Sequence, residues 1–131
     1  MKRIAITIFA FMILGVAVSA ASAQTAKRIT FKRGATSATV TGTLSSYKSK
    51  RVFVIRVRDG QTMKTENTGS RSISIFIEGP AGSGYEQDMA ADCHANNEAT
   101  PTVAGDYKFT IQECTKADPW KGTFKFKVTV D

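Results

Sequence analysis

The chain has 131 residues, 18 Lys and Arg against 11 Asp and Glu, a formal charge of +7, and only one histidine and two cysteines. That length allows one ordinary domain rather than two, and a single histidine leaves little from which to build a metal cluster or a His-dependent catalytic triad. Lys2 and Arg3 precede an almost wholly apolar run over residues 4–18, and Ala21-Ser22-Ala23 follows, giving the charged start, apolar stretch and small-residue cleavage site of a secretory signal. The apolar run is shorter than the ~20 residues of a spanning helix. Residues 1–23 are therefore expected to be a leader and residues 24–131 one domain, periplasmic or secreted by a bacterium, with no membrane attachment after cleavage. Export turns the basic charge away from nucleic acid and towards proteins or anionic polymers of the envelope.

Beyond the leader the pattern is almost entirely of period two. Ile29 and Phe31 alternate with Thr30 and Lys32; Ala38, Val40 and Leu44 alternate with threonines. Over residues 51–58, Phe53, Ile55 and Val57 share one face while Val52 and Val54 make the other apolar too, which predicts a central strand. Asp59-Gly60 supplies a tight turn into a strand at 61–66. Ile73, Ile75 and Ile77 line another strand, then Tyr107, Phe109 and Ile111, then Phe124, Phe126, Val128 and Val130 with Lys125 and Lys127 facing water. A one-residue slip would drive those lysines inward, so register is strongly specified. Seven or eight strands with turns of Gly, Ser, Asn and Asp predict an all-β domain, an antiparallel β-sandwich or barrel.

Residues 79–106 break this rhythm, at a length that is usually functional or disordered. Within residues 78–106 lie six acids, Glu78, Glu86, Asp88, Asp92, Glu98 and Asp106, and no Lys or Arg. Gly79-Pro80-Ala81-Gly82-Ser83-Gly84 opens the segment with turn formers, leaving Ser83 and Tyr85 as the first side chains able to make contacts. The segment is read either as a docking loop for a cationic partner or as a connection whose charges are merely solvated. Cys93 and Cys114 are expected to pair in an exported domain, closing a loop of about twenty residues worth roughly 3 kcal/mol in the chain-entropy model. Counting from Tyr107, Phe109 and Ile111, Cys114 falls on the face away from the core, so the bridge should pin the acidic segment to the outside of the sheet.

Catalysis finds little support. His94 stands beside a cysteine expected to be oxidised, and carboxylates on one exposed loop have no apolar surroundings to separate their pKa values. The acids lack the ligand spacing of a calcium loop, and Gly82-Ser83-Gly84 has neither the Lys nor the helix of a phosphate cradle. No cofactor and no metal are expected. Lys48, Lys50 and Arg51, with Tyr47, crowd one hairpin and could hold an anionic polymer or peptidoglycan; a solvated hairpin tip is the plainer reading. Trp120 could stack on a sugar ring or cover the end of the core.

The run over residues 29–44, Tyr47, residues 52–57 and Asp59-Gly60-Gln61-Thr62-Met63, together with Pro101-Thr102-Val103-Ala104-Gly105-Asp106-Tyr107 and the closing strand at 123–130, resembles the periplasmic inhibitors of g-type lysozyme. Those are in turn similar to the β-sandwich pre-peptidase C-terminal domains. The resemblance spans nearly all of the mature chain. It implies a small β-sandwich that blocks a muramidase, g-type foremost, by inserting a loop into its cleft. Ser83-Gly84-Tyr85 is similar to, but more compressed than, the Ser-Gly-based motif followed by Tyr that inserts in other bacterial lysozyme inhibitors. The resemblance thus points to Ser83, Gly84, Tyr85, Glu86, Asp88 and Asp92 as the partner-binding residues.

Overall fold

The computed structural model describes residues 25–45, 49–87 and 93–131. The expected leader, Tyr47, Lys48, Asp88 and Asp92 lie outside the described residues. Among the described residues eight strands run in order: β1 Lys27–Arg28, β2 Ser37–Leu44, β3 Arg51–Val57, β4 Met63–Asn67, β5 Ile73–Glu78, β6 Asn97–Ala99, β7 Gly105–Glu113 and β8 Gly122–Val130. They form two four-stranded sheets, β1-β3-β7-β5 and β2-β8-β4-β6, packed as a sandwich. All pairings are antiparallel except β1 with β3, which is parallel.

The inward residues are those that alternation selects. Phe53, Ile55 and Val57 on β3 and Tyr107, Phe109 and Ile111 on β7 face Phe124, Phe126 and Val128 on β8, all buried. Phe126 is the hub: its ring meets Phe53 edge-on at 6.0 Å and Phe109 at 6.3 Å, and stacks with Phe124 at 6.2 Å. Gly42 on β2 leaves room for this cluster, since a Cβ there would lie 2.6 Å from Phe124 Cζ. As expected, β3 is internal to its sheet and Lys125 and Lys127 point outward. The Asp59-Gly60 turn is present, with Gly60 at φ 77°.

Three features depart from the sequence reading. The Ile29–Phe31 alternation yields no strand of its own: β1 stops at Arg28, and Ile29 adds one hydrogen bond to Val54 O (2.8 Å). Residues 97–99 form β6, within what the sequence suggested was a loop. Cys114 does not sit on an open face. β7 ends at Glu113, and Cys114 beyond it is only 1% exposed, bonded through its N–H to Ser72 O (3.1 Å) and bridged to Cys93. Alternation gave a direction for Cys114, but direction does not reveal whether the chain folds back over that face.

Glu113 takes the next inward position on β7 and is 0% exposed. Its Oε1 accepts a hydrogen bond from the Trp120 N–H (2.7 Å), which ties down the turn before β8, while Oε2 has no partner among the described residues. Trp120 covers that end of the core, the second of its two sequence readings: its ring packs against the apolar cluster, its Nε1–H donates to Ser72 O (3.1 Å), and the Arg71 guanidinium lies over the ring at 5.6 Å.

Candidate functional site

Residues 79–87 and 93–96, the described parts of the long segment after β5, lie on one side of the sandwich as a strap between the two sheets. β5 is the outermost strand of its sheet and β6 of the other, so this side would otherwise be open. Gln87 acts like a residue of a missing strand: its Oε1 accepts from Ile77 N–H (3.0 Å) and its Nε2 donates to Ile75 O (2.6 Å). Ile75 N–H in turn donates to His94 O (2.9 Å). Gln87 Nε2 also donates to Asn97 Oδ1, Asn97 Nδ2 to Thr65 Oγ1, and Thr65 Oγ1 to Ala95 O, stitching the first sheet's edge to the second through buried Thr65. The Cys93–Cys114 disulfide then anchors the far end of the strap to the end of β7.

The start of the strap is a defined turn. Ser83 N–H donates to Pro80 O (3.0 Å), and Tyr85 N–H to Ser83 Oγ (3.3 Å). Gly82 and Gly84 take φ of 81° and 62°, the left-handed region that costs glycine little. Ala81, Gly82, Gly84 and Glu86 are exposed, whereas Ser83 and Tyr85 are half-buried. The Tyr85 ring packs on the core, edge-on to Tyr107 at 6.2 Å. Burial, with Tyr107 beside it, raises the Tyr85 phenol above its ordinary pKa and keeps it neutral. Tyr85 is thus a brace that still presents part of its ring.

The acidic contrast is also weaker in space than along the chain. Glu78 pairs with Lys108 at 2.9 Å, Glu98 with Lys64 at 3.2 Å, and Asp106 with Arg28 at 3.0 Å and Arg56 at 3.6 Å. The cations come from strands remote in sequence, which a linear scan cannot pair. Among the described acids of the segment, Glu86 alone has no ion pair here. It lines a polar hollow with Tyr85, His94, Asn96 and Glu98 beside the disulfide. No group of three His, Cys, Asp or Glu able to hold a metal occurs among the described residues.

Arg28 donates to both carboxylate oxygens of Asp106 and thereby holds that carboxyl below its ordinary pKa, with Arg56 adding to the effect and burial opposing it. A carboxyl lowered in the folded state stabilises the fold above the unfolded value near 3.9 and loses that contribution as pH falls through the folded value. The stability difference between the wild type and Asp106→Asn is therefore expected to be full above about pH 5 and to close as the pH falls below about 4. Urea midpoints across that range measure it, and a difference independent of pH would reject the assignment.

Of the alternative basic set, Lys50 and Arg51 are exposed at the start of β3. They stand at the opposite end of that strand from Arg56, so the chain's cations are not gathered at this hairpin.

No protein-family model matches the chain, and no curated protein matches it in sequence. Solved structures do match. The Aeromonas hydrophila periplasmic inhibitor of g-type lysozyme superposes with a TM-score of 0.63 at 18% identity, covering 82% of this chain and 96% of that one. The fold is that of these inhibitors. The Salmonella Typhimurium inhibitor gives 0.60 at 14% identity, covering 82% of this chain and all of its own (100%), and a mutant of the Escherichia coli inhibitor gives 0.58 at 13%, covering 83% and 100%. At these identities the match establishes the sandwich and its connectivity, as the sequence resemblance implied.

Proposed function

We propose that the protein is a periplasmic, non-catalytic inhibitor of lysozyme, g-type foremost, that presents the 82–86 turn and the adjoining strap to the muramidase cleft. The observation that carries this reading is the fold shared, over 96–100% of their lengths, with three periplasmic inhibitors of g-type lysozyme. The local geometry supports it. A turn already stitched by two hydrogen bonds and braced on Tyr107 loses little conformational freedom on binding, which leaves more of the contact energy as affinity. Tyr85 supplies rigid aromatic area, and Glu86, with Asp88 and Asp92 next along the chain, supplies negative charge that speeds encounter with a cationic enzyme.

Titration of the mature protein against g-type, c-type and i-type lysozymes in a cell-wall lysis assay tests the reading. Inhibition is expected, strongest for the g-type enzyme. Absence of inhibition of all three at micromolar protein would end it. Tyr85→Ala is expected to weaken inhibition by about 2 kcal/mol or more, roughly thirtyfold, because it removes both the contact and the brace. An unchanged inhibition constant would move the contact surface elsewhere on the fold.

A further inference from the structure

The opposite edge of the same sheet carries a second feature, built from residues spread over 28–58. Arg28, Ile29, Thr30 and Phe31 run beside β3 and form, with Ile55 and Arg56, a groove of about 590 Å³, within the size range of ligand clefts. Half-buried Phe31 supplies its apolar wall, with the core residues Ile29 and Ile55 almost covered beneath, and Arg28 and Arg56 line it as well. Phe31 and Arg56 also line an adjoining hollow that continues past Arg58 to Asp131. The two together make an elongated channel, the shape for a linear chain. Lys32 and Arg33 stand exposed on the turn that follows Phe31.

Basic groups outnumber acidic ones along this channel. Three arginines on its walls are answered by Asp106 and by Asp131 at the far end. Asp106 shows how these arginines treat a carboxylate: Arg28 grips both oxygens at 3.0 Å while Arg56 Nε approaches at 3.6 Å. Arg56 is nevertheless 78% exposed, and Arg58 makes no ion pair among the described residues. Guanidinium forks match carboxylates in geometry as well as charge.

We propose that this channel binds carboxylate-bearing peptidoglycan, with a sugar face against Phe31 and peptide-stem carboxylates on Arg56 and Arg58. A recessed, half-buried Phe31 does not suit a membrane, which needs apolar side chains that stand out into the lipid. The channel lies at the β1 edge and the strap at the β5 edge of one sheet, about 14 Å apart by strand spacing. Both edges can be occupied together, so the protein would hold the wall on one side and leave the strap free for a partner on the other. The proposal shares only the periplasmic location with the lysozyme reading, and the assay below contains no lysozyme.

Co-sedimentation of the mature protein with purified sacculi, without lysozyme, tests it. Saturable binding is expected. R56Q/R58Q should weaken it about fivefold or more, while K125Q/K127Q, an equal charge change on the outer face of the second sheet, should stay within about twofold. Arg58→Gln alone breaks no ion pair and should still give about a twofold to threefold loss, so the outcome does not depend on how β1 tolerates the double change. Equal losses in the two double variants, no sedimentation of the wild type, or tighter partition onto phosphatidylglycerol vesicles than onto sacculi would each overturn the proposal.

Discussion

Phe126→Ala is expected to lower the free energy of unfolding by about 3–5 kcal/mol, more than any surface change considered above. The ring is 0% exposed and touches three other phenylalanines, two of them on the facing sheet, so truncation opens a cavity at the centre of the sandwich. Neighbours on rigid strands cannot move in to fill it. The edge-on and stacked contacts are lost as well, at roughly 0.5–1.5 kcal/mol a pair before any relaxation. Against the 5–15 kcal/mol that holds a typical domain together, such a loss should lower Tm by on the order of 20 °C. Urea denaturation with an unchanged slope measures it. A loss below about 1 kcal/mol would mean that the rings collapse into the space and that the core is less rigid than its geometry implies.

Removing the Cys93–Cys114 bridge, by reduction or by replacing both cysteines with serine, is expected to cost about 3 kcal/mol. The bridge joins positions 21 apart, and its absence returns that loop's freedom to the unfolded chain. The folded state changes too, because the bridge is the covalent anchor of the strap on β7. The hydrogen bonds that Gln87, His94 and Ala95 make with Ile75, Ile77 and Thr65 then have to hold the segment without a covalent anchor. Local opening should follow, seen as faster amide exchange and proteolysis within residues 87–96 while the Phe126 cluster stays protected. If the unfolding midpoint and the cleavage pattern were both unchanged on reduction, the strap would owe its position to the hydrogen bonds and the bridge would be incidental.

Most of the sandwich was legible because its strands obey a strict alternation with a clear apolar face. Phe124, Phe126 and Val128 against Lys125 and Lys127 leave only one register, and the structure has it. Asn97-Glu98-Ala99 was not legible: three residues, one of them inward, carry no periodicity, and β6 exists because β4 offers an edge for it to pair with. The cysteine pairing followed from export and number, but the burial of Cys114 depends on a segment folding back over it, which is a long-range event. The acidic surface was overestimated for the same reason. Lys108, Lys64 and Arg28 reach Glu78, Glu98 and Asp106 across strands whose pairing cannot be read from local sequence. The basic channel was missed outright, since Arg28, Phe31, Arg56 and Arg58 form no cluster until β1 lies along β3.

Gln87 has a consequence for life at high concentration. An outermost strand with free amides is a template on which a second copy of the same chain can add itself, and repetition of that step builds fibres. By offering one carbonyl and one amide to Ile77 and Ile75, the Gln87 side chain occupies the docking positions that an invading strand would use, and His94 O takes the next. A strap of this kind lets the protein keep three isoleucines on an outermost strand without becoming sticky.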